Sequence, residues 1–205
     1  MARAVNAPAT YRQIQAEQTR ERIAAAARRL FASGGYRTTS MEAIAAEAGV
    51  APRTVYSAFG AKREILSAIC EKWLEDAGAR ELAGAALAEP DPKRRLRAAA
   101  HWLRALYEAG FDVVTLFAAA SDDDAETKAL LRGKLAGRNH VMDAMIASVE
   151  DSLKIPLPRA QAIYRALAAT EVYGELVAEA GWTPDEFEAW VAQILLSQLL
   201  GARAR

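Results

Sequence analysis

Apolar residues recur along this chain at helical spacing, and no stretch alternates apolar with polar cleanly enough to predict a strand. "EQTRERIAAAARRLFASGGY" places Ile23, Ala27, Leu30 and Phe31 on one face and stops at Gly34-Gly35. "TTSMEAIAAEAG" predicts a second, short helix with Ile44, Ala45 and Ala48 inward. Its start carries Thr39 three residues before Glu42, the spacing of a capping box, and Gly49 suits a left-handed C-terminal turn. A third helix, "PRTVYSAF", opens with Pro52 in the first turn and stops at Gly60. "AKREILSAICEKWLEDAGARELAG" predicts one long fourth helix with Ile65, Ile69 and Trp73 in line.

"EPDP" (89–92) breaks the pattern, since each proline disfavours helix in the residue before it. Leu96, Ala100, Leu103 and Tyr107 align on the next helix, and "FDVVTLFAAA" follows as a short apolar one. The acidic "SDDD" (121–124) suits the positive end of a further helix, expected to run to about Leu153. Helices at about 158–180 and 184–202 close the chain, with Thr183-Pro184 as a cap. The prediction is an all-α fold of about nine helices. It divides into an N-terminal arm (1–16), a three-helix head (17–63) and a C-terminal helical domain (64–205).

The short third helix is explained by its chemistry. Two short helices joined by "AGVAP" form a helix-turn-helix, whose second helix enters the DNA major groove by its N-terminal residues. Arg53 suits bidentate hydrogen bonding to guanine or pairing with phosphate, and Thr54 suits a base edge or thymine methyl. Val55 and Phe59 fall on one face and belong to a small core. Tyr56 points its hydroxyl outward, and Lys62 stands at the start of helix four, where a phosphate can meet both a cation and free N–H groups. Taken singly, Arg53 reads as a solvated surface group, Tyr56 as a half-buried aromatic and Lys62 as an exposed helix start. Their joint placement on one unit is what points to DNA.

Charge adds to this. The chain of 205 residues is neutral overall, with 26 basic and 26 acidic side chains. Residues 1–63 nevertheless carry ten basic against four acidic groups, which suits an anionic partner for the front end. No apolar run reaches the ~18 residues that a membrane helix needs, and the N-terminus lacks a signal-peptide core. The expected compartment is the cytoplasm, in keeping with a single cysteine, Cys70.

The stretches "TRERIAAAARRLFASGGYRTTSMEAIAAEAGV" and "APRTVYSAFGAKREIL" closely resemble the DNA-binding domain of the tetracycline-repressor (TetR) family. The resemblance rests on Ala26-Ala27, Leu30-Phe31, Gly35, Thr38-Thr39, Ile44-Ala45, Ala48-Gly49-Val50, Tyr56, Phe59, Lys62 and Leu66. It implies that Thr39 contacts phosphate at the start of helix two. Arg53 and Thr54 would then face the groove, while Tyr56 and Lys62 grip the backbone. One departure is Ala51, where family members often have serine as the recognition-helix cap. Losing such a cap costs roughly 1 kcal/mol.

The resemblance further implies a homodimer, built from the last two helices, on a palindromic double-stranded operator. The pattern on 184–202 agrees, because Phe187, Trp190, Val191, Ile194, Leu195, Leu199 and Leu200 form a stripe too wide for one small neighbour. Ala162, Ala166 and Ala169 permit close helix approach. The expected interface residues are Ala166, Trp190, Ile194, Leu195 and Leu199, and aspartate at 195 is expected to give folded monomers.

The family generally holds an effector in a cavity of the C-terminal domain. Candidate lining residues here are Trp73, Trp102, Tyr107, Phe111 and Phe117, with Met142, Met145, Tyr164 and the polar Glu171. Their apolar and aromatic bias favours a hydrophobic or aromatic small molecule. The other reading of this half is a filled core without a small-molecule switch. No cofactor is expected, and neither is catalysis or a metal. There is no phosphate-binding glycine loop, no Cys-x-x-Cys and no nucleophile–base spacing in a supporting context. Two histidines and one cysteine are too few for a usual zinc site.

Overall fold

The computed structural model describes residues 10–120 and 125–201. Arg3 in the N-terminal arm and the Asp122–Asp124 run therefore lie outside the described residues. The architecture is all-α with ten α-helices, and no strand occurs among the described residues. An isolated antiparallel bridge joins Leu153 to Leu200. The chain divides into two compact units, Met1–Ile69 and Cys70–Arg205.

The N-terminal unit is built from α1 (Tyr11–Gly34), α2 (Met41–Ala48), α3 (Pro52–Phe59) and the first turns of α4 (Lys62–Asp76). Where the arm was expected to extend to residue 16, helix begins at Tyr11. Thr10 and Gln13 close a reciprocal capping box there, satisfying N–H groups that a helix start leaves orphaned. Ile23, Ala26, Ala27 and Phe31 of α1 are buried with Met41, Ile44 and Ala45 of α2 and with Val55 and Phe59 of α3. Burying apolar area of this kind is worth about 25 cal/mol per Å², enough to fix two eight-residue helices that would be marginal alone.

Three elements of the C-terminal unit differ from the periodicity. The long fourth helix is two, α4 ending at Asp76 and α5 (Ala79–Ala88), because Gly78 takes a left-handed conformation (φ 59°, ψ 31°). The segments either side of Gly110 join into α6 (Pro92–Ala120), which is kinked at that glycine. The Trp73 indole fills the kink and donates from Nε1 to the Leu106 carbonyl at 2.7 Å. A Cβ on Gly110 would sit 2.4 Å from Trp73 Cδ1, so the close approach itself requires glycine. The single helix expected at 158–180 is α8 (Leu157–Leu167), a break at Ala168-Ala169, and α9 (Thr170–Tyr173), which continues as a π-helical segment over Gly174–Glu179.

The helix expected to reach Leu153 is α7 (Ala125–Ala147), followed by a 3₁₀ turn at Glu150–Ser152. The last helix, α10 (Pro184–Leu199), begins with the Thr183/Glu186 capping box. Phe187, Val191, Leu195 and Leu199 are fully buried, and α10 packs chiefly on α6. This corrects the expectation for Leu195 and Leu199. Positions four apart form the stripe that faces the chain's own core, so neither side chain is free for a partner, and aspartate at 195 would unfold the domain. Trp190 and Ile194 lie on the flank of that stripe and are half-buried, while Ala166 on α8 is exposed.

Candidate nucleic-acid interface

The turn between α2 and α3 is set by Gly49 in a left-handed C-cap (φ 65°, ψ 39°) and by Pro52 in the first turn of α3. Ala51 supplies no side-chain cap, as its side chain dictates. Inward burial of Val55 and Phe59 turns the opposite side of α3 to solvent. Arg53 there is exposed and makes no hydrogen bond or ion pair among the described residues. Thr54, beside it, is half-buried. The α3 terminus is anchored from α1, where Arg20 lies 4.2 Å over the Phe59 ring and donates to the Ala58 carbonyl. Arg29 pairs with Glu47 at 2.9 Å, tying α1 to α2.

Tyr56 is 47% exposed, and its hydroxyl donates to Glu42 Oε1 at 3.1 Å, joining α3 to the first turn of α2. Backbone hydrogen bonding at that helix start, followed by the Tyr56 hydroxyl, holds the Glu42 carboxyl below its ordinary range. The same pairing pushes the Tyr56 phenol up.

Two sequence assignments are corrected. The α2 cap is Ser40, whose side chain accepts from Ala43 N–H at 3.1 Å. Thr39 is buried instead, its hydroxyl donating to the Gly35 carbonyl at 2.8 Å. A phosphate at this helix start would thus meet Ser40 and backbone N–H groups rather than the Thr39 side chain. Lys62 also turns inward. Its ammonium donates to the carbonyls of Tyr36 (2.7 Å), Thr39 (3.1 Å) and Arg37 (3.4 Å) and lies 4.3 Å above the Tyr36 ring. Three N–H donors are all an ammonium has, so Lys62 shapes the α1–α2 connection and has no donor left for DNA. No local motif could have revealed this, because the acceptors are main-chain groups about 25 residues upstream.

Residues 23–69 match the family model described as bacterial regulatory proteins, tetR family. The N-terminal unit is a TetR-family domain. No curated protein matches the chain, but solved structures share its fold beyond that domain. NalD, the secondary repressor of the MexAB-OprM multidrug efflux pump in Pseudomonas aeruginosa, aligns over 94% of this chain and 100% of its own. The TM-score is 0.72 and the identity 20%. FadR from Bacillus subtilis, solved with stearoyl-CoA, aligns over 86% and 97% (TM-score 0.69, identity 17%). A Saccharomonospora viridis protein solved with choline aligns over 91% and 100% (TM-score 0.67, identity 18%). At these identities the likeness is one of fold, a TetR-type regulator fold.

In the C-terminal unit, most of the expected pocket residues are packed as core. Trp73, Trp102, Tyr107, Met142, Met145 and Tyr164 are buried, and Phe111 and Phe117 are half-buried. The polar tips of the buried aromatics are already spent. Trp102 Nε1 donates to Ala79 O (2.8 Å), Tyr107 Oη to Ala168 O (2.7 Å) and Tyr164 Oη to Ala99 O (2.6 Å). Glu171 is exposed, contrary to expectation, because the break after α8 resets the helical phase. His101 Nδ1 lies 2.9 Å from Glu188 Oε2 and bridges α6 to α10.

Proposed function

We propose that the chain is a sequence-specific DNA-binding transcriptional regulator that works as a homodimer, most simply as a repressor, on a palindromic operator. One observation carries this reading. In a TetR-family domain whose core is closed by Val55 and Phe59, Arg53 is presented unpaired at the exposed start of α3. An unpaired guanidinium on a helix of groove dimensions is suited to guanine O6 and N7 or to phosphate. The excess of basic groups in residues 1–63 supports the same partner. Two recognition helices about 34 Å apart would match successive major-groove half-sites. The half-exposed Trp190 and Ile194, with Ala162 and Ala166 exposed on α8, support pairing through α8 and α10. No helix among the described residues is long and apolar enough to cross a membrane, in keeping with work beside DNA in the cytoplasm.

A small apolar or aromatic effector is part of this reading. The structures solved with stearoyl-CoA and with choline support the presence of an effector, since each carries a ligand in a chain of the same fold, and the apolar and aromatic residues of the C-terminal unit support its class. A second reading, regulation without a small molecule, draws on the spent polar tips of Trp102, Tyr107 and Tyr164. Selection from a random duplex library at low and moderate salt tests the shared claim. Enrichment of a palindrome that persists at moderate salt is expected. Binding that enriches nothing and vanishes with salt would leave only counterion release and end the regulator reading.

A further inference from the structure

The two carboxylates of the helix-turn-helix, Glu42 and Glu47, have different surroundings. Glu47, near the end of α2, is neutralised from α1 by Arg29 at 2.9 Å. Glu42, in the first turn of α2, is exposed, and no basic side chain pairs with it among the described residues. Its partner from another element is the Tyr56 hydroxyl, which donates to Oε1 at 3.1 Å. Hydrogen bonding at the helix start and from Tyr56 holds the carboxyl below its ordinary range, so it is ionised at neutral pH.

This bond determines what the pair can offer to DNA. A phenol has one O–H to donate and a carboxylate has none. With the Tyr56 proton committed to Glu42, both groups present lone pairs only. A phosphate oxygen is also an acceptor, so the pair has no proton to give it, and the Glu42 charge repels it. That departs from the backbone grip which the family resemblance implies for Tyr56. Arg53, Tyr56 and Ser57 are all exposed on α3, at the three- and four-residue spacing of one helix face. A donor-only guanidinium therefore stands beside an acceptor-only pair. Major-groove base edges supply partners for both, since guanine O6 and N7 accept while cytosine N4 and adenine N6 donate. Adenine sets the N7 acceptor next to its amino group, whereas cytosine shows no acceptor in the major groove. Cytosine is the better partner for two acceptors.

We propose that the Glu42–Tyr56 pair reads a cytosine amino group in each operator half-site, beside the contact of Arg53. Glu42 is the charged acceptor and also the positioning residue for Tyr56, because it dictates where the hydroxyl proton points. The discrimination has a repulsive part, since thymine O4 or guanine O6 in the same place would face acceptors of the same sign. This rests on the DNA-binding reading and adds a base preference to it.

Selection from a random duplex library with the wild-type chain supplies the operator. Anisotropy titrations then compare that operator with a copy in which the cytosine pair is changed to T·A, for the wild type, Glu42→Ala and Tyr56→Phe. The change should weaken wild-type binding roughly tenfold, the scale of one specific base contact, and Glu42→Ala binding about twofold or less. Tyr56→Phe should reduce the preference in part, and both variants should keep the rest of the motif. A pair with a merely structural role would weaken both operators alike and leave the wild-type ratio in place. An unchanged ratio in either variant would therefore overturn the assignment. Melting curves check the fold, and should Glu42→Ala fail to fold, Tyr56→Phe, which lacks a single exposed oxygen, still decides. A wild-type palindrome without a fixed cytosine would sink the proposal and leave the regulator reading standing. Enrichment of nothing would sink both.

Discussion

Lys62 and Arg53 separate two ways in which a charged residue can serve DNA recognition. Lys62 spends its ammonium on the carbonyls of residues 36, 37 and 39, so its contribution is to the shape of the α1–α2 connection. Lys62→Gln is therefore expected to lower stability by about 1.5–3 kcal/mol, the range for hydrogen bonds to a charged group. Operator affinity should weaken with it. The salt dependence should not change, whereas a residue that neutralises a phosphate lowers the slope of log K against log[salt] by about one. Anisotropy titrations at several salt concentrations distinguish the two, and Arg53→Gln is the control whose slope should change if it meets phosphate. The exposure of Arg53 was legible from position alone, since helix-turn-helix spacing determines what the start of α3 presents. Thr39 and Lys62 were not, because their partners are backbone oxygens brought near only by the folded connection.

Among elements, α10 shows what periodicity does and does not determine. Its apolar positions were all readable, yet a stripe of seven contains two faces, and only packing on α6 separates the buried four from the flank. Leu195→Ala should cost about 2–5 kcal/mol through the cavity it leaves, measured by urea unfolding. Ile194→Asp, on the half-exposed flank, is expected to keep the fold and shift sedimentation from dimer to monomer. A folded dimer in that variant would remove α10 from the interface. The split of the fourth helix was hidden for a related reason, because glycine at 78 is tolerated inside a helix pattern and its left-handed turn is chosen by tertiary context.

For the whole molecule, acid sensitivity follows from the helix starts. Backbone hydrogen bonding depresses the carboxyls of Glu42 on α2, Asp91 before α6 and Glu186 on α10. A group whose folded-state pKa lies below its unfolded value stabilises the fold above that unfolded value. The contribution disappears as pH falls through the lowered folded pKa. The urea midpoint is accordingly expected to hold near neutrality and to decline once pH drops below about 4.5, the ordinary value for Glu186. Glu186→Gln should shrink the decline, since it removes the titrating carboxyl whose chief partner is the Thr183 backbone N–H. A midpoint flat from pH 6 to pH 3 would count against helix-start carboxylates as the cause.

The kink at Gly110 also bears on how the sequence can diverge. Because a single methyl at position 110 would collide with the indole ring of Trp73, the two positions cannot drift independently. Related chains that have lost the glycine should carry a smaller residue at 73, and those that keep the tryptophan should keep the glycine. An alanine introduced at 110 alone should be severely destabilising, and a second-site search for suppressors should return to position 73, 37 residues away in the chain and on another helix.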